Sequence, residues 1–112
     1  MEFRATARHA RISPTKARLS ADLIRGKKVQ TAIDILRFEP RRGSSFLRKV
    51  LESAVANAVS LSNVDPNELL VTDARVDKGL TIKRWRPASK GRSASRYKFC
   101  SHITVAVAAA KA

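Results

Sequence analysis

The sequence predicts an α+β fold in which three helices pack on a small antiparallel β-sheet that carries a long protruding β-hairpin. Apolar residues recur at helical spacing in three segments before residue 62. Apolar and polar residues alternate near both ends of the chain, which is typical of half-buried strands. Between the last two predicted strands lies a strongly basic segment, residues 82–99, without a helical pattern. The 112 residues suit one domain, and we expect a single one.

The first strand and the first helix are predicted next to each other. Residues 3–12 alternate loosely between apolar side chains and mostly arginine, which indicates a strand with one buried face and one basic face. Helix start signals follow at once, because Ser13 is a favoured N-cap and Pro14 suits the first helical position. Gly26 readily adopts the left-handed conformation that ends a helix, so we expect this helix to stop there.

Two further helices are predicted before a turn at residues 63–68. Four apolar residues at the spacing i, i+3, i+4, i+7 indicate a second helix that ends before Pro40: Val29, Ala32, Ile33 and Leu36. The third helix spans about residues 42–62 and has one apolar face: Leu47, Val50, Leu51, Ala54, Ala58 and Leu61. Small residues near its middle would let another part of the backbone approach closely.

The net charge is the strongest functional signal in the sequence. Lysine and arginine total 23 against 9 aspartate and glutamate residues, which gives +14 at pH 7. The last acidic residue is Asp77, and nine basic residues follow it. A compact protein with this charge repels itself unless a polyanion neutralises it. Nucleic acid is the commonest such partner, and an anionic membrane is the alternative.

The basic segment is predicted to be a hairpin that extends beyond the sheet. It joins two predicted strands, "LLVTDARV" at 69–76 and "HITVAVAA" at 102–109. Pro87 and Gly91 argue against a crossover helix, so two antiparallel arms are the better interpretation. About ten residues in each arm, at roughly 3.3 Å per residue, would project on the order of 30 Å. Such a hairpin has no core of its own, and we expect a partner outside the protein to order it.

RNA is the polyanion that these residue types favour. Arginine and lysine neutralise phosphates and release counterions, so the affinity falls steeply with salt. Three aromatic residues of the segment, Trp85, Tyr97 and Phe99, can stack on unpaired bases, which RNA makes accessible. A second basic cluster spans the first strand and helix: Arg4, Arg8, Arg11, Lys16, Arg18, Arg25, Lys27 and Lys28. The alternative is that part of this charge only keeps the surface soluble and that the hairpin is a solvated loop.

A third basic group lies at the start of the predicted third helix: Arg41, Arg42, Arg48 and Lys49. The helix dipole disfavours cations at that end, so the group hints at a compensating anion. The high density of basic residues in the whole chain explains the group equally well.

Several stretches resemble a known protein family in order and spacing: "RISPTKARLSADLIRGKKVQTAIDIL", "KVLESAVANA", "GLTIKRWRPASKGR" and "SHITVAV". The resemblance covers nearly the whole chain and is to the bacterial-type large ribosomal subunit protein twenty-two. It implies a non-catalytic constituent of the cytoplasmic ribosome that binds ribosomal RNA and supports subunit assembly. In that family the body lies near the outer end of the peptide exit tunnel, and the hairpin tip forms part of the tunnel wall.

Carried over by position, the resemblance implies two sets of residues and a division of the chain. The residues that would bind ribosomal RNA are Arg4, Arg8, Arg11, Ser13, Lys16, Arg18, Arg25, Lys27, Lys28, Arg96, Lys98 and His102. The hairpin tip would be Lys83, Arg84, Trp85, Arg86, Pro87, Ala88, Ser89, Lys90, Gly91 and Arg92. Within one domain, 1–112, the globular body would be 1–79 and 100–112, and the extended basic hairpin 80–99. The implied partners are ribosomal RNA, neighbouring ribosomal proteins and the nascent polypeptide, with no cofactor, metal or small-molecule substrate.

The sequence departs from the family pattern at several positions of the hairpin. Leu80 stands where the family usually has proline, and Trp85 is bulkier than the usual aliphatic residue. Phe99 and Cys100 replace a common Arg-Thr pair. These changes leave open which tip side chains face the tunnel and which face RNA.

Three other classes of function are weighed from the residues. An RNA-cleaving enzyme could use His9 and His102, but neither triad order nor metal-ligand spacing accompanies them, and Cys100 fits packing better. An architectural duplex-DNA-binding protein with basic β-arms also has a helical body and a proline near each arm tip. Such proteins usually act as dimers, whereas the RNA interpretation expects a monomer. A cationic membrane-active protein is disfavoured because the hairpin lacks a helical apolar face, and the absence of a long apolar run predicts no membrane insertion.

Overall fold

The computed structural model describes the backbone of residues 2–87 and 93–109 and the side chains of residues 2–83 and 98–109. The elements in chain order are strand β1 (Glu2–Ala10), helices α1 (Pro14–Ile24), α2 (Val29–Phe38) and α3 (Arg42–Ser62), a 3-10 turn (Pro66–Glu68), and strands β2 (Leu69–Pro87) and β3 (Ser93–Ala109). The three helices pack on one antiparallel sheet, so the predicted α+β class is confirmed.

The predicted helix boundaries follow from local backbone chemistry. Ser13 Oγ accepts a hydrogen bond from the Lys16 backbone N–H (3.4 Å), and Pro14 occupies the first turn of α1. Gly26 lies just past α1 with φ +82°, the left-handed conformation that disfavours a side chain. Asn63 also adopts a left-handed conformation (φ 51°) and ends α3. Capping residues therefore fix both ends of the helical region.

Strand β3 is the central strand of the sheet, whose order is β1-β3-β2. Strand β1 pairs with the C-terminal part of β3, and this pairing ends at Ala10 opposite Ser101. The first part of β2 pairs with the same part of β3 on its other side. Alternate residues of β3, namely Ile103, Val105 and Val107, are fully buried. The three-stranded part of the sheet therefore has a buried face against the helices.

The core lies between this sheet face and the helices. Its largest fully buried apolar side chains are Ile24, Leu47, Leu51, Leu69, Val71, Ile103, Val105 and Val107. Ala54 and Ala58 of α3 are also fully buried, as expected from the small residues in this helix. Leu61 was predicted on the same apolar face, and this prediction is wrong because Leu61 is 76% exposed. Every residue from 59 to 63 is exposed, so the last turn of α3 lies past the elements on which the helix packs.

N-terminal to Ser101, β3 pairs only with β2, and the sheet narrows to a two-stranded hairpin. Its backbone pairing runs from Thr81 opposite Phe99 to Pro87 opposite Ser93. Both strands are continuous from the body into the hairpin, and the protein measures 65 × 25 × 16 Å along its principal axes. The predicted arms that run beyond the sheet are thus confirmed within the described residues. The remaining tip residues, Ala88, Ser89, Lys90, Gly91 and Arg92, lie outside them.

Two irregularities in pairing mark the junction between the body and the hairpin. On one side of β3, the register with β1 shifts between Ala7 and Ala10. On the other side, the register with β2 shifts between Lys78 and Thr81. Both shifts lie beside residues 100–102 of β3. Because a bulge bends its strand and increases the local twist, the paired bulges set the direction in which the hairpin leaves the body.

We expect Ala58→Leu to destabilise the protein, because Ala58 is fully buried on the packed face of α3. Overpacking of a core usually costs about 1–3 kcal/mol of unfolding free energy. Ala56→Leu is the matched control, since Ala56 is exposed on the same helix, and it should change stability by less than about 0.5 kcal/mol. Urea unfolding measures both variants, and an equal loss at the two positions would contradict the packing described.

Candidate nucleic-acid interface

Ion pairing separates the basic residues into occupied and available groups. Five arginines of the described chain pair with carboxylates: Arg4 with Glu2, Arg25 with Asp22, Arg41 with Glu39, Arg48 with Glu52 and Arg75 with Asp73. Among the predicted RNA-binding residues whose side chains are described, only Arg4 and Arg25 belong to these pairs. Both pairs are exposed, so each contributes little stability and its arginine can exchange the carboxylate for a phosphate.

The face of the sheet opposite the helices carries both signs of charge. Asp73, Arg75 and Asp77 alternate along β2 with the buried residues of that strand. The register places Arg4 of β1 and Asp73 on either side of Ala106. Arg75 Nε donates to Asp73 Oδ2 (2.9 Å), and this hydrogen bond, together with the charge of Asp73, raises the pKa of Arg75. This mixed face attracts a polyanion less strongly than a purely basic surface.

Arg18 and Arg25, both predicted to bind RNA, contact the outer edge of β2. Arg18 Nε donates to the Val76 carbonyl (3.1 Å), and Arg25 Nη2 donates to the Ala74 carbonyl (2.6 Å). Because β2 is an edge strand, its outer backbone groups have no strand partner. The linker after α1 covers the neighbouring stretch through two backbone hydrogen bonds with Val71. The two arginines thus hold α1 against the sheet, a role that sequence reasoning missed.

The other basic residues of the second cluster remain exposed. Those without an ion pair in the described structure are Arg8, Arg11, Lys16, Lys27 and Lys28. Ser13 differs from them, because its hydroxyl oxygen accepts the capping hydrogen bond of α1. Its proximity to the basic residues follows from the N-cap position and does not require a contact with RNA.

A cleft of about 510 Å³ lies at the base of the hairpin and collects basic residues from three parts of the chain. Its described lining is Arg11, Ile12, Ser13, Lys16, Arg42, Ile82, Lys98, Phe99 and Cys100. Four of these residues are basic and none is acidic. The fold therefore brings together Arg11, Lys16 and Lys98, which were predicted to bind RNA, and adds Arg42.

Arg42 reaches the cleft because α3 begins directly against α1. A Cβ on Gly43 would lie 3.2 Å from Ile12 Cδ1 and 3.3 Å from Ala17 Cα, so glycine permits this close approach. The Ser20 and Ser44 hydroxyl oxygens, 3.1 Å apart, share a buried hydrogen bond between the same helices. Helix α3 has no side-chain N-cap and no acidic residue in its first turn. The only sequence signal for Arg42 was its position at a helix end that disfavours cations.

A second cleft, of about 390 Å³, shares one wall with the first. Its described lining is Ser13, Pro14, Thr15, Arg18, Lys78 and Phe99. Phe99 lines both clefts and is 42% exposed. The Lys78 ammonium lies 5.7 Å from the centroid of the Phe99 ring, which is a cation–π contact. Sequence reasoning missed Lys78, because the contact between β2 and the start of α1 joins segments about 60 residues apart.

His102, another predicted RNA-binding residue, packs between the two bulges at the junction. Its Nδ1 accepts a hydrogen bond from the His9 backbone N–H (3.2 Å), and the two rings meet edge to face at 4.9 Å. His9 is in a left-handed conformation (φ 58°) within the β1 bulge. On the β2 side, a Cβ on Gly79 would lie 3.2 Å from His102 Cε1. His102 therefore has a structural role at the junction, and Cys100 beside it is buried, as expected from the sequence.

The proposed tip residues are described only in part. Lys83 is exposed, and the backbones of residues 84–87 are paired with those of 93–96. The register sets Arg84 opposite Arg96.

Two negative findings concern only the described part of the chain. Residues 2–83 and 98–109 contain no group of three or more His, Cys, Asp or Glu side chains placed to hold a metal ion. The described helices include none with the length and apolar character needed to cross a membrane.

Comparison with known proteins identifies the family. The family model for ribosomal protein L22p/L17e matches residues 5–108. The chain belongs to this family. The large ribosomal subunit protein uL22 of Syntrophobacter fumaroxidans (strain DSM 10017 / MPOB) is 49% identical over 108 residues, which is 96% of this chain and 98% of the relative. The protein of the same name from Syntrophus aciditrophicus (strain SB) is 52% identical over 105 residues, 94% of this chain and 96% of the relative.

These matches confirm the resemblance that the sequence motifs indicated. The L22p/L17e family is one of structural proteins of the large subunit, and its place is the cytoplasmic ribosome. The comparisons give no support to the alternative of an architectural DNA-binding protein.

Arg25→Ala should lower the unfolding free energy by about 1–2 kcal/mol, because it removes a charged hydrogen bond from the edge of β2. Lys27→Ala is the matched control: it removes one positive charge two residues away, at an exposed side chain, and should cost less than about 0.5 kcal/mol. Urea unfolding of both variants is the measurement. Equal stabilities would contradict the structural role of Arg25.

Proposed function

We propose that the chain binds ribosomal RNA through the basic residues around the hairpin base, and that it acts as a scaffold without catalysis. The observation that carries this proposal is the cleft at the hairpin base, where Arg11, Lys16, Arg42 and Lys98 converge and no described lining residue is acidic. Both relatives are named as proteins of the large ribosomal subunit, which makes ribosomal RNA the polyanion at hand.

The electrostatics of the cleft favour a chain of phosphates over single ions. Four positive side chains in one concave surface repel each other, and a bound anion turns this repulsion into attraction. A nucleic acid backbone supplies phosphates at regular spacing, and each neutralised phosphate releases counterions. The first turns of α1 and α3 contain no acidic residue, so no carboxylate there competes with phosphate for the neighbouring cations.

We propose different roles in RNA binding for the body and the hairpin. In this proposal the body, residues 1–79 and 100–112, docks on folded RNA, and the hairpin, residues 80–99, inserts between RNA segments. Phosphate contacts carry no sequence information, so shape fit of the body and insertion of the hairpin must set the register on the RNA. The body and hairpin together would join distant RNA segments, which supports an assembly role, and neighbouring ribosomal proteins are further partners.

The hairpin tip is proposed to line the peptide exit tunnel and to meet the nascent polypeptide. A two-stranded hairpin without a hydrophobic face is at best marginally stable in water. The hairpin sequence has several basic residues and no acidic one, so surrounding RNA would stabilise the hairpin in an extended form. A positive tip in a narrow tunnel would also act electrostatically on a passing chain.

The non-catalytic interpretation is supported by the two histidines. His9 and His102 interact with each other at the junction, where the His9 backbone donates to His102 Nδ1. This hydrogen bond occupies the Nδ1 lone pair of His102, so that nitrogen is not available to take a proton from a substrate. Incubation of the protein with labelled RNA tests the point, and turnover abolished by His102→Ala would contradict it.

RNA binding is tested by measuring the affinity of the full chain for large-subunit ribosomal RNA and for a random DNA duplex at matched salt. We expect tighter binding to the RNA and an affinity that falls steeply with salt, because each phosphate contact contributes about 0.7–0.9 to the slope of log K against log salt. Lys16→Gln should reduce that slope by about one contact. Equal affinity for random duplex DNA would contradict the proposal.

The tip role is tested by Lys83→Glu combined with Arg84→Glu. We expect this double variant to change nascent-chain pausing in reconstituted ribosomes more than it weakens incorporation into the large subunit, because the body retains its contacts. Lys27→Glu combined with Lys28→Glu is the matched control on the body and should have the opposite profile. If the tip variant lowers pausing and incorporation equally, the hairpin has no separate tip function.

A further inference from the structure

We propose that the cleft at the hairpin base is a subsite for one unpaired nucleotide of RNA, whose base stacks on Phe99 and whose phosphate contacts the basic residues around it. This inference rests on the proposed binding of RNA and specifies what the cleft recognises. The volume of about 510 Å³ lies within the range of roughly 300–1,000 Å³ that small-ligand sites occupy.

The walls of the cleft combine the two chemistries of a nucleotide. Ile12, Ile82 and Phe99 supply apolar surface, and the basic residues described above supply positive charge beside it. A nucleotide likewise consists of a flat ring with two apolar faces and a charged phosphate. In a duplex both faces of each base are covered by its neighbours, so only an unpaired nucleotide can use both walls.

Phe99 is placed for stacking because the fold prevents it from entering the core. It lies in β3 opposite Thr81, two residues beyond Ser101, which is the last residue that β1 pairs with, and its ring is not fully covered. With 42% of its surface exposed, the ring stands between the two clefts. Lys78 lines only the smaller cleft, so its ammonium leaves the ring accessible from the larger one.

An acidic segment of a neighbouring protein is the competing occupant. Carboxylates would neutralise the same cations, but they would not use a flat aromatic ring. An affinity for RNA that depends on an aromatic side chain at position 99 would therefore indicate a nucleotide and not an acidic protein segment.

The test compares three variants of the full chain bound to a fragment of large-subunit ribosomal RNA. Phe99→Leu keeps an apolar side chain but removes the aromatic face, and it should weaken binding about 5- to 100-fold. Phe99→Trp should bind within about threefold of the parent, because tryptophan also stacks. Phe38→Leu is the control, since it makes the same change at an exposed ring at the end of α2, outside the hairpin and the described lining of both clefts, and it should leave affinity unchanged.

Salt dependence and cross-linking supply readouts that a loss of folding would not mimic. Phe99→Leu should leave the slope of log K against log salt unchanged, because stacking releases no counterions. Ultraviolet cross-linking followed by mass spectrometry should join Phe99 to a nucleotide that chemical probing shows to be unpaired. Cross-linking of Phe99 to a ribosomal protein in the assembled subunit, with none to RNA, would overturn the proposal.

A double-mutant cycle tests whether one nucleotide uses both walls. Phe99→Leu and Lys16→Gln should show coupled losses of affinity, whereas Phe99→Leu and Lys27→Gln should be additive. Additive losses in both cycles would overturn the single-nucleotide subsite. If the parent binds RNA and Phe99→Leu binds it with the same affinity, the subsite is refuted but the proposed RNA binding is not. A parent that does not bind the RNA would instead refute the proposed function itself.

Discussion

The continuous pairing of β2 with β3 is the constraint on which the rest of the structure depends. In the body, this pair belongs to a three-stranded sheet with one face buried under three helices, which fixes both strands firmly. N-terminal to Ser101 in β3, the same two strands continue as a pair without β1. The body therefore determines where the hairpin starts and how its strands are registered, and we propose that interactions outside the chain stabilise its extended form.

Electrostatics then decides which partner can supply those interactions. The chain carries a net charge of +14, and the described salt bridges leave the basic residues at the hairpin base largely without carboxylate partners. The junction itself is built from backbone bulges, a glycine and two histidine rings that meet edge to face. It concentrates Arg11, Lys16, Arg42 and Lys98 beside the exposed ring of Phe99. Membership of the L22p/L17e family makes ribosomal RNA the natural counterpart of this arrangement.

Local signals in the sequence predicted most of the fold, and tertiary contacts account for what it missed. Ser13, Pro14 and Gly26 act within one or two turns of the backbone, so α1 was correctly placed. Leu61 has the right helical spacing but no neighbour to pack against, which periodicity cannot reveal. Arg18 contacts a carbonyl 58 positions away. The composition and spacing of the sequence could therefore not distinguish a contact of Arg18 with the sheet edge from one with RNA. The position of Arg42 in the cleft also depends on packing between distant segments, which composition and spacing do not reveal.

Amide hydrogen exchange in the free and RNA-bound protein tests the central claim most directly. The described hairpin amides, residues 81–86 and 93–99, are compared with those of residues 103–107 in the central strand of the body. We expect the free hairpin to exchange much faster than the body strand, because local stability falls where few apolar contacts are buried. Binding to large-subunit ribosomal RNA should slow the hairpin amides selectively. Hairpin amides that are as protected as the body strand in the free protein, and unchanged by RNA, would contradict the account.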